Sequence, residues 1–297
     1  MDTLFLKITL ALAVAIGFIS CQNDNLVNHG QPEGAAKQSA NDVIPVNLPK
    51  YTLVKDGPQT LNYYPDGRLK RVIYGADIPG NTSERLDYTY ESTQSVKATT
   101  SYGNKVYAEE TYVLDLNGRC FQYRAYIYPD GGMTKQKYVY NSSYTYDGQG
   151  RLKTWTNYAS PNTLLYEYAY NADGDLSKVV RSEGAVAEEE CTFAYKLVEA
   201  PALLSDTYPL NAQLNFQWHG LLNDTYLAVF GNASSHLVKR MIRKNLMTNQ
   251  VEQDTKFAYV LNANGYVSNR TSVNALTGVG LDSKEYEYIL ADTLPTF

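Results

Sequence analysis

The side chains of this chain that could do chemistry are few and scattered. Of three histidines, only His219 and His236 lie in the part patterned to fold. His219 follows Trp218 and is bracketed by Asp206 and Asp224, the outline of a carboxylate-steered general base. No Gly-x-Ser-x-Gly elbow, His-Glu-x-x-His pair or phosphate loop accompanies it. Isolated histidines of this kind serve structure more often than catalysis. Asn171-Ala-Asp173-Gly174-Asp175 spaces its oxygens as a calcium loop does at its start, but the remaining ligands and the distal bidentate Glu are missing and a turn explains it. Cys120 stands where sister segments carry Leu152 and Leu176, and Cys191 shares a strand face with Phe193 and Tyr195. Both read as small core residues, with a disulfide between them left open. The candidate ligand contacts are Trp155, Trp218 and His219, because an aromatic face can stack on a sugar or a peptide; core packing is the competing role. The expectation is a protein that is not an enzyme and uses no metal and no cofactor.

The elements that would position these residues begin after an address signal. Ile8 to Ile19 is an almost unbroken apolar run of signal-peptide length, ending in Phe18-Ile19-Ser20-Cys21. An apolar residue, a small residue and then Cys resembles a bacterial lipoprotein cleavage box. That resemblance implies cleavage before Cys21 and lipid on its sulfur, each buried methylene holding the membrane by about 0.8 kcal/mol. Phe18 stands where such boxes usually carry Leu, and an ordinary secretory peptide cut elsewhere or a buried apolar helix is the alternative. Residues 1–20 are thus expected to be a signal peptide. Residues 21–47 would be a polar, aperiodic tether, and 48–297 the folded domain, about 250 residues and enough for one sizeable core.

Composition narrows the class. The chain has 297 residues and a formal net charge of −5, with a pI near 5.3 and a mean hydropathy of −0.38. Such a chain has no electrostatic footprint for nucleic acid and none of the repeated long apolar runs of a polytopic helical membrane protein. Tyrosine is unusually abundant, 27 residues against 8 Phe and 2 Trp.

Most of that tyrosine sits in a repeated unit. Tyr144-Thr-Tyr146-Asp147-Gly-Gln-Gly150-Arg151-Leu152 recurs 24 positions later as Tyr168-Ala-Tyr170-Asn171-Ala-Asp-Gly174-Asp175-Leu176. Related units surround Gly67, Gly118 and Gly265. Aromatics at i and i+2 share one face of a strand. The Asp or Asn side chain can bond its own backbone and open a turn, and the glycine three residues on suits a left-handed hairpin position. The pattern predicts an all-β antiparallel meander of hairpins, bent into a curved sheet or (half-)barrel. Glu199 to Lys244 breaks it. There Leu222, Tyr226 and Phe230 fall four apart, and Asn223 and Gly231 suit helix ends, so one short helix is expected around 222–231, in a plug, lid or crossover packed on the sheet.

The paired hairpins at Tyr144 to Leu152 and Tyr168 to Leu176 resemble the tyrosine–aspartate repeats of Rhs-type and teneurin-type shells. However, the turn glycines are separated by 51, 32, 24 and 91 positions, unlike the even spacing of those shells. The whole chain resembles a family of bacterial putative lipoproteins of unknown function with a porin-like fold. This rests on Cys21, Asp66 to Leu69, Tyr226 to Ser235, the Phe257 to Val267 hairpin and Tyr286-Glu-Tyr288. The resemblance supplies no catalytic residues. Polar residues such as Lys135, Lys137, Glu167 and Glu287 hold the positions that alternate with the aromatics, so the outer face is expected to be wet rather than lipid-facing.

The functional expectation is a lipid-anchored outer-membrane protein of the cell envelope, facing the periplasm or the surface. It would bind a glycan or an envelope protein, with the membrane and no nucleic acid as its other partner. A carrier sheltering an apolar ligand such as a lipid beneath Leu221 to Phe230 is the alternative. A glycan-active enzyme, needing two carboxylates across a cleft, is the third reading.

Overall fold

The computed structural model describes residues 51–75, 84–128, 138–158, 162–210 and 225–294. In chain order the strands are β1 (Tyr51–Asp56), β2 (Gln59–Tyr63), β3 (Leu69–Tyr74), β4 (Glu84–Ser92), β5 (Ser95–Tyr102), β6 (Lys105–Leu114), β7 (Cys120–Ile127) and β8 (Tyr138–Tyr146). They continue as β9 (Leu152–Asn157), β10 (Leu164–Tyr170), β11 (Leu176–Glu183), β12 (Val186–Ala194), β13 (Arg240–Asn245), β14 (Gln250–Leu261), β15 (Val267–Asn274) and β16 (Gly280–Leu290). Each pairs antiparallel with its sequence neighbours, and β1 pairs with β16, so the meander closes into a 16-strand barrel. Closure corrects the expectation of a curved sheet or half-barrel. Each strand adds its share of twist, and the accumulated turn brings Tyr51 opposite Leu290.

The expected helix around 222–231 is also corrected. Residues 225–231 are turns and extended chain, and residues 222–224 lie outside the described set. The apolar spacing there does not make one helical face, because its side chains are drawn to different walls. Tyr226 bonds Asp56 on β1, while Phe230 packs on Tyr112 of β6 and Tyr144 of β8. Among the described residues the helical structure is a single 3-10 turn, Ala291–Thr293.

In an antiparallel meander alternate connections fall at opposite ends. Turns β2–β3, β6–β7, β8–β9, β10–β11 and β14–β15 therefore share one end with both chain ends of the barrel; this is called the turn end here, and the other end the mouth. These five turns carry Gly67, Gly118, Gly150, Gly174 and Gly265, all with φ between +74° and +85°. At Asp147 the carboxylate accepts the N–H of Gln149 and of Arg151 and pairs with the Arg151 guanidinium. Asp115 does the same with Asn117 and Arg119.

The tyrosines latch each hairpin to the one before it. Arg68, Arg119 and Arg151 lie over the rings of Tyr90, Tyr146 and Tyr170, at 4.4, 4.7 and 4.2 Å, contacts worth about 0.5–1 kcal/mol each. The same tyrosines donate their hydroxyls to the carbonyls of Leu69, Cys120 and Leu152 at 3.1, 2.6 and 2.8 Å. Tyr195 does so to Leu176 at 2.8 Å. One ring thus fills the core, seats a cation and satisfies a carbonyl beside a turn, which explains why the repeat uses Tyr rather than Phe.

Candidate functional site

The barrel wall sorts its side chains by alternation. Outward residues form ion pairs across neighbouring strands: Lys55–Glu287 at 2.5 Å, Arg71–Asp87, Lys178–Glu190 at 3.4 Å and Arg240–Asp254 at 2.6 Å. A lipid-facing wall needs an apolar band, and these pairs put charge on the outer face of the described strands.

The inner face changes character from end to end. Toward the turn end it is apolar, with Leu61, Leu69, Tyr88, Tyr112, Leu152, Tyr168 and Phe193 all buried. Toward the mouth the inner positions are polar or charged. Thr100, Glu110, Ser142, Asn157 and Ser272 are buried there, and Arg181 pairs with Glu189 at 3.0 Å and Glu188 at 2.7 Å.

Sixteen strands about 4.8 Å apart and tilted by about 40° would ring a circle about 16 Å in radius, too wide for facing side chains to meet. The crossover between β12 and β13 fills the turn end. Leu210, Leu227, Val229, Leu237 and Val238 of the crossover belong to the same core as the wall. It reaches four of the glycine turns. Cys120 N–H donates to the Val229 carbonyl at 2.7 Å, and Asn232 N–H to the Gly150 carbonyl at 2.9 Å. The Thr207 hydroxyl donates to the Gly265 carbonyl at 3.2 Å.

The fourth contact is the most specific. Asp175, fully buried, occupies the position that Arg119 and Arg151 hold in sister turns. Its Oδ1 accepts from Ser235 N–H at 2.9 Å and His236 N–H at 3.2 Å, and its Oδ2 from His236 Nδ1–H at 2.8 Å. Ser234 Oγ accepts from Leu176 N–H at 2.9 Å. The signal for this dock was present in the sequence as an acid where its sister repeats have a base.

The crossover also reaches a polar patch on β15, β16, β1 and β2. Tyr226 donates to Asp56 Oδ2 at 2.6 Å, and Lys284 Nζ stands 3.4 Å from Asp56 Oδ1. Asp56 is 0% exposed. Burial, followed by the Asp56 charge, pushes the Tyr226 phenol far up, so the proton stays on tyrosine. Sequence reading passed over Asp56 because Lys-Asp-Gly-Pro reads as an ordinary turn.

Of the sequence-derived candidates, Trp155 is 1% exposed, stacked between Tyr144 at 6.3 Å and Tyr166 at 4.4 Å. Both of its faces are occupied by the protein's own rings. Trp218, His219 and Cys21 lie outside the described residues. Cys120 and Cys191 are both buried and both free.

No family model and no curated protein matches this chain. Solved structures do. A porin-like protein from Bacteroides uniformis ATCC 8492 aligns with a TM-score of 0.54 at 14% identity, over 80% of this chain and 93% of that one. A porin-like protein from Bacteroides vulgatus ATCC 8482 aligns at 0.52 and 15%, over 77% and 92%. What this likeness carries is the fold.

Proposed function

We propose that this chain is a lipid-anchored protein of the cell envelope that works by binding, with its mouth turned to the ligand and its turn end closed. Cys21 would carry the acyl chains and residues 21–47 the tether. One observation carries this reading: ion pairs on the outer wall surround a core sealed at one end by the chain's own crossover. Charge paired across the described outer wall does not suit an apolar belt in a bilayer, and the lipid box at Cys21 would supply the attachment instead. A sealed end argues against conduction. The carrier reading asks for an apolar hollow beneath the crossover, where Phe230 instead meets Tyr112 and Tyr144.

Fractionation of cells making the full chain or its Cys21→Ala variant tests the anchor. The native chain should stay with the membranes through a carbonate wash, and the variant should be released. A variant that stays bound overturns the reading. Stable single-channel currents from the purified chain in planar bilayers would likewise refute it.

A further inference from the structure

Three neighbouring hairpin tips at the mouth, β11–β12, β13–β14 and β15–β16, are apolar and uncharged. Between Glu183 and Glu188 the chain reads Gly-Ala-Val-Ala, between Asn245 and Glu252 Leu-Met-Thr-Asn-Gln-Val, and between Asn274 and Asp282 Ala-Leu-Thr-Gly-Val-Gly-Leu. Leu276 is 79% exposed, Met247 69% and Val279 62%, and Val186, Val251 and Leu281 each expose about half of their surface. A Cβ built on Gly184, Gly278 or Gly280 meets nothing within 4 Å, so these turns stand in open space. The turn end is different. Its tips expose Gln94, Asn117, Gln149, Asp173 and Asn264, with Leu116 as their large apolar exception.

Single apolar side chains scattered over a surface are ordinary, but six on three adjacent tips are not. Neighbouring hairpins stand about 12 Å apart round the rim, being two strands of about 4.8 Å tilted by about 40°. Side chains held on separate points at that spacing do not fuse into the contiguous patch that a folded partner buries, whereas a fluid lipid interface closes round each one. The acids behind the tips are balanced: Glu188 pairs with Arg181 at 2.7 Å, Glu252 with Arg243 at 3.4 Å and Asp282 with Arg270 at 3.5 Å. Such a collar gains nothing from an anionic surface. A bilayer is also within reach. Residues 21–50, from the lipid box to Tyr51, can extend to at most about 100 Å. The wall is about 30 Å tall, from the 12 residues of β14 at about 3.3 Å each and about 40° of tilt. Acyl chains on Cys21 and a rim resting on the same leaflet are therefore compatible.

We infer that the tips of β11–β12, β13–β14 and β15–β16 rest in the surface of a lipid bilayer with neutral headgroups, a reversible second contact beside the acyl chains. The inference goes beyond the binding reading above and takes from it only the anchor that holds a bilayer near. Six of the sixteen strands carry these tips, so the barrel leans on one side of its rim. The acids set the depth. Val186, Met247, Leu276 and Val279 enter the headgroup layer, while Glu188, Glu252 and Asp282 stay at its edge in water.

Flotation of the purified full-length Cys21→Ala chain with phosphatidylcholine vesicles tests this without the acyl chains. The chain should rise with the vesicles, and no more tightly when a third of the lipid is phosphatidylglycerol. Met247→Ser and Leu276→Ser, made in the same chain, should each weaken the partition about three- to tenfold. Leu116→Ser removes a still more exposed leucine from the opposite end and should leave the partition unchanged. Because all three side chains are exposed, the urea midpoints should stay where they are. Failure to float, binding that neither tip variant changes, an equal loss in Leu116→Ser or a lowered midpoint in the tip variants overturns the inference. Binding that needs phosphatidylglycerol overturns it too. So does a chain that sediments as a dimer while its Leu276→Ser variant is monomeric, since a second copy would then cover the tips. A contact this shallow does not survive a carbonate wash, so the Cys21→Ala fractionation judges the anchor separately.

Discussion

Gly231 and Gly265 offer a matched pair for measuring how tightly the crossover is docked. Both have φ of +82°. A Cβ built on Gly265 meets nothing within 4 Å. One built on Gly231 would stand 2.4 Å from the Gly150 carbonyl oxygen and 2.8 Å from Tyr146 Cε1. Gly265→Ala should therefore pay only for the left-handed conformation, about 1–2 kcal/mol, part of which is offset by the stiffer unfolded chain, leaving about 1 kcal/mol. Gly231→Ala carries the same term, and the carbonyl it meets belongs to backbone and cannot swing aside. Relief means lifting the crossover off the β8–β9 turn. That overpacking costs about 1–3 kcal/mol, and with it go bonds such as Asn232 N–H to Gly150 and Cys120 N–H to Val229, about 1 kcal/mol each. The total is about 4–6 kcal/mol, so the two variants should differ by about 3–5 kcal/mol. Urea unfolding of both variants gives that difference from the midpoints if their slopes agree. Midpoints that coincide would mean that the crossover does not rest on Gly150, and the closed turn end would have to be abandoned.

Three further outcomes test the same architecture. Asp175→Ala should destabilise the chain by about 2–4 kcal/mol, because it strips a buried acceptor from three donors, and hydrogen exchange should then speed at residues 234–236 ahead of the strands. At Asp147 burial opposes ionisation, but the Arg151 guanidinium and the turn N–H groups outweigh it and hold the carboxyl below its ordinary 3.8. Its contribution is therefore complete above a pH of about 4 and is lost as pH falls through the lowered native value, so Asp147→Asn should flatten the acid limb of a stability–pH curve. Burial pushes the Cys120 and Cys191 thiols up to about 12; neither should react with a disulfide reagent until denaturant is added, and rapid labelling of the native chain would contradict their burial.

The hairpins were legible because their signal is local. Asp147, Gly150 and Arg151 lie within five residues and close their turn without help from the rest of the fold. Closure was not legible, since Lys55 and Glu287 meet only after every intervening strand has added its twist. The uneven spacing of the glycines has a plain cause. The β4–β5 turn at Ser92–Ser95 lacks the motif, and the crossover replaces a turn between β12 and β13. The spacing Leu222, Tyr226, Phe230 misled for a physical reason: a four-residue interval describes one face only if one wall receives it, and here two walls do. Asp56 escaped notice because a charge in a Lys-Asp-Gly-Pro turn looks the same in sequence whether it faces water or, as here, is sealed inside.

The width of the barrel ties these observations together. A small barrel can fill itself with its own side chains, but sixteen strands cannot. A wide barrel in a membrane resolves this by keeping water inside and turning apolar residues out to the lipid. Here the polarity is reversed, with Lys55, Glu287, Arg71 and Asp87 outside and Leu61, Tyr112 and Tyr168 within. An apolar lumen of that width would be unstable if wet, so it needs an inserted filler, and the crossover is that filler. It enters from the turn end and reaches as far as Tyr226 on Asp56. Toward the mouth the inner wall becomes polar, with Thr100, Glu110, Ser142 and Asn157 buried there. The same division that stabilises the fold gives the inner wall two zones, apolar around the crossover and polar yet buried toward the mouth, where Thr100 and Tyr112 both donate to Glu110.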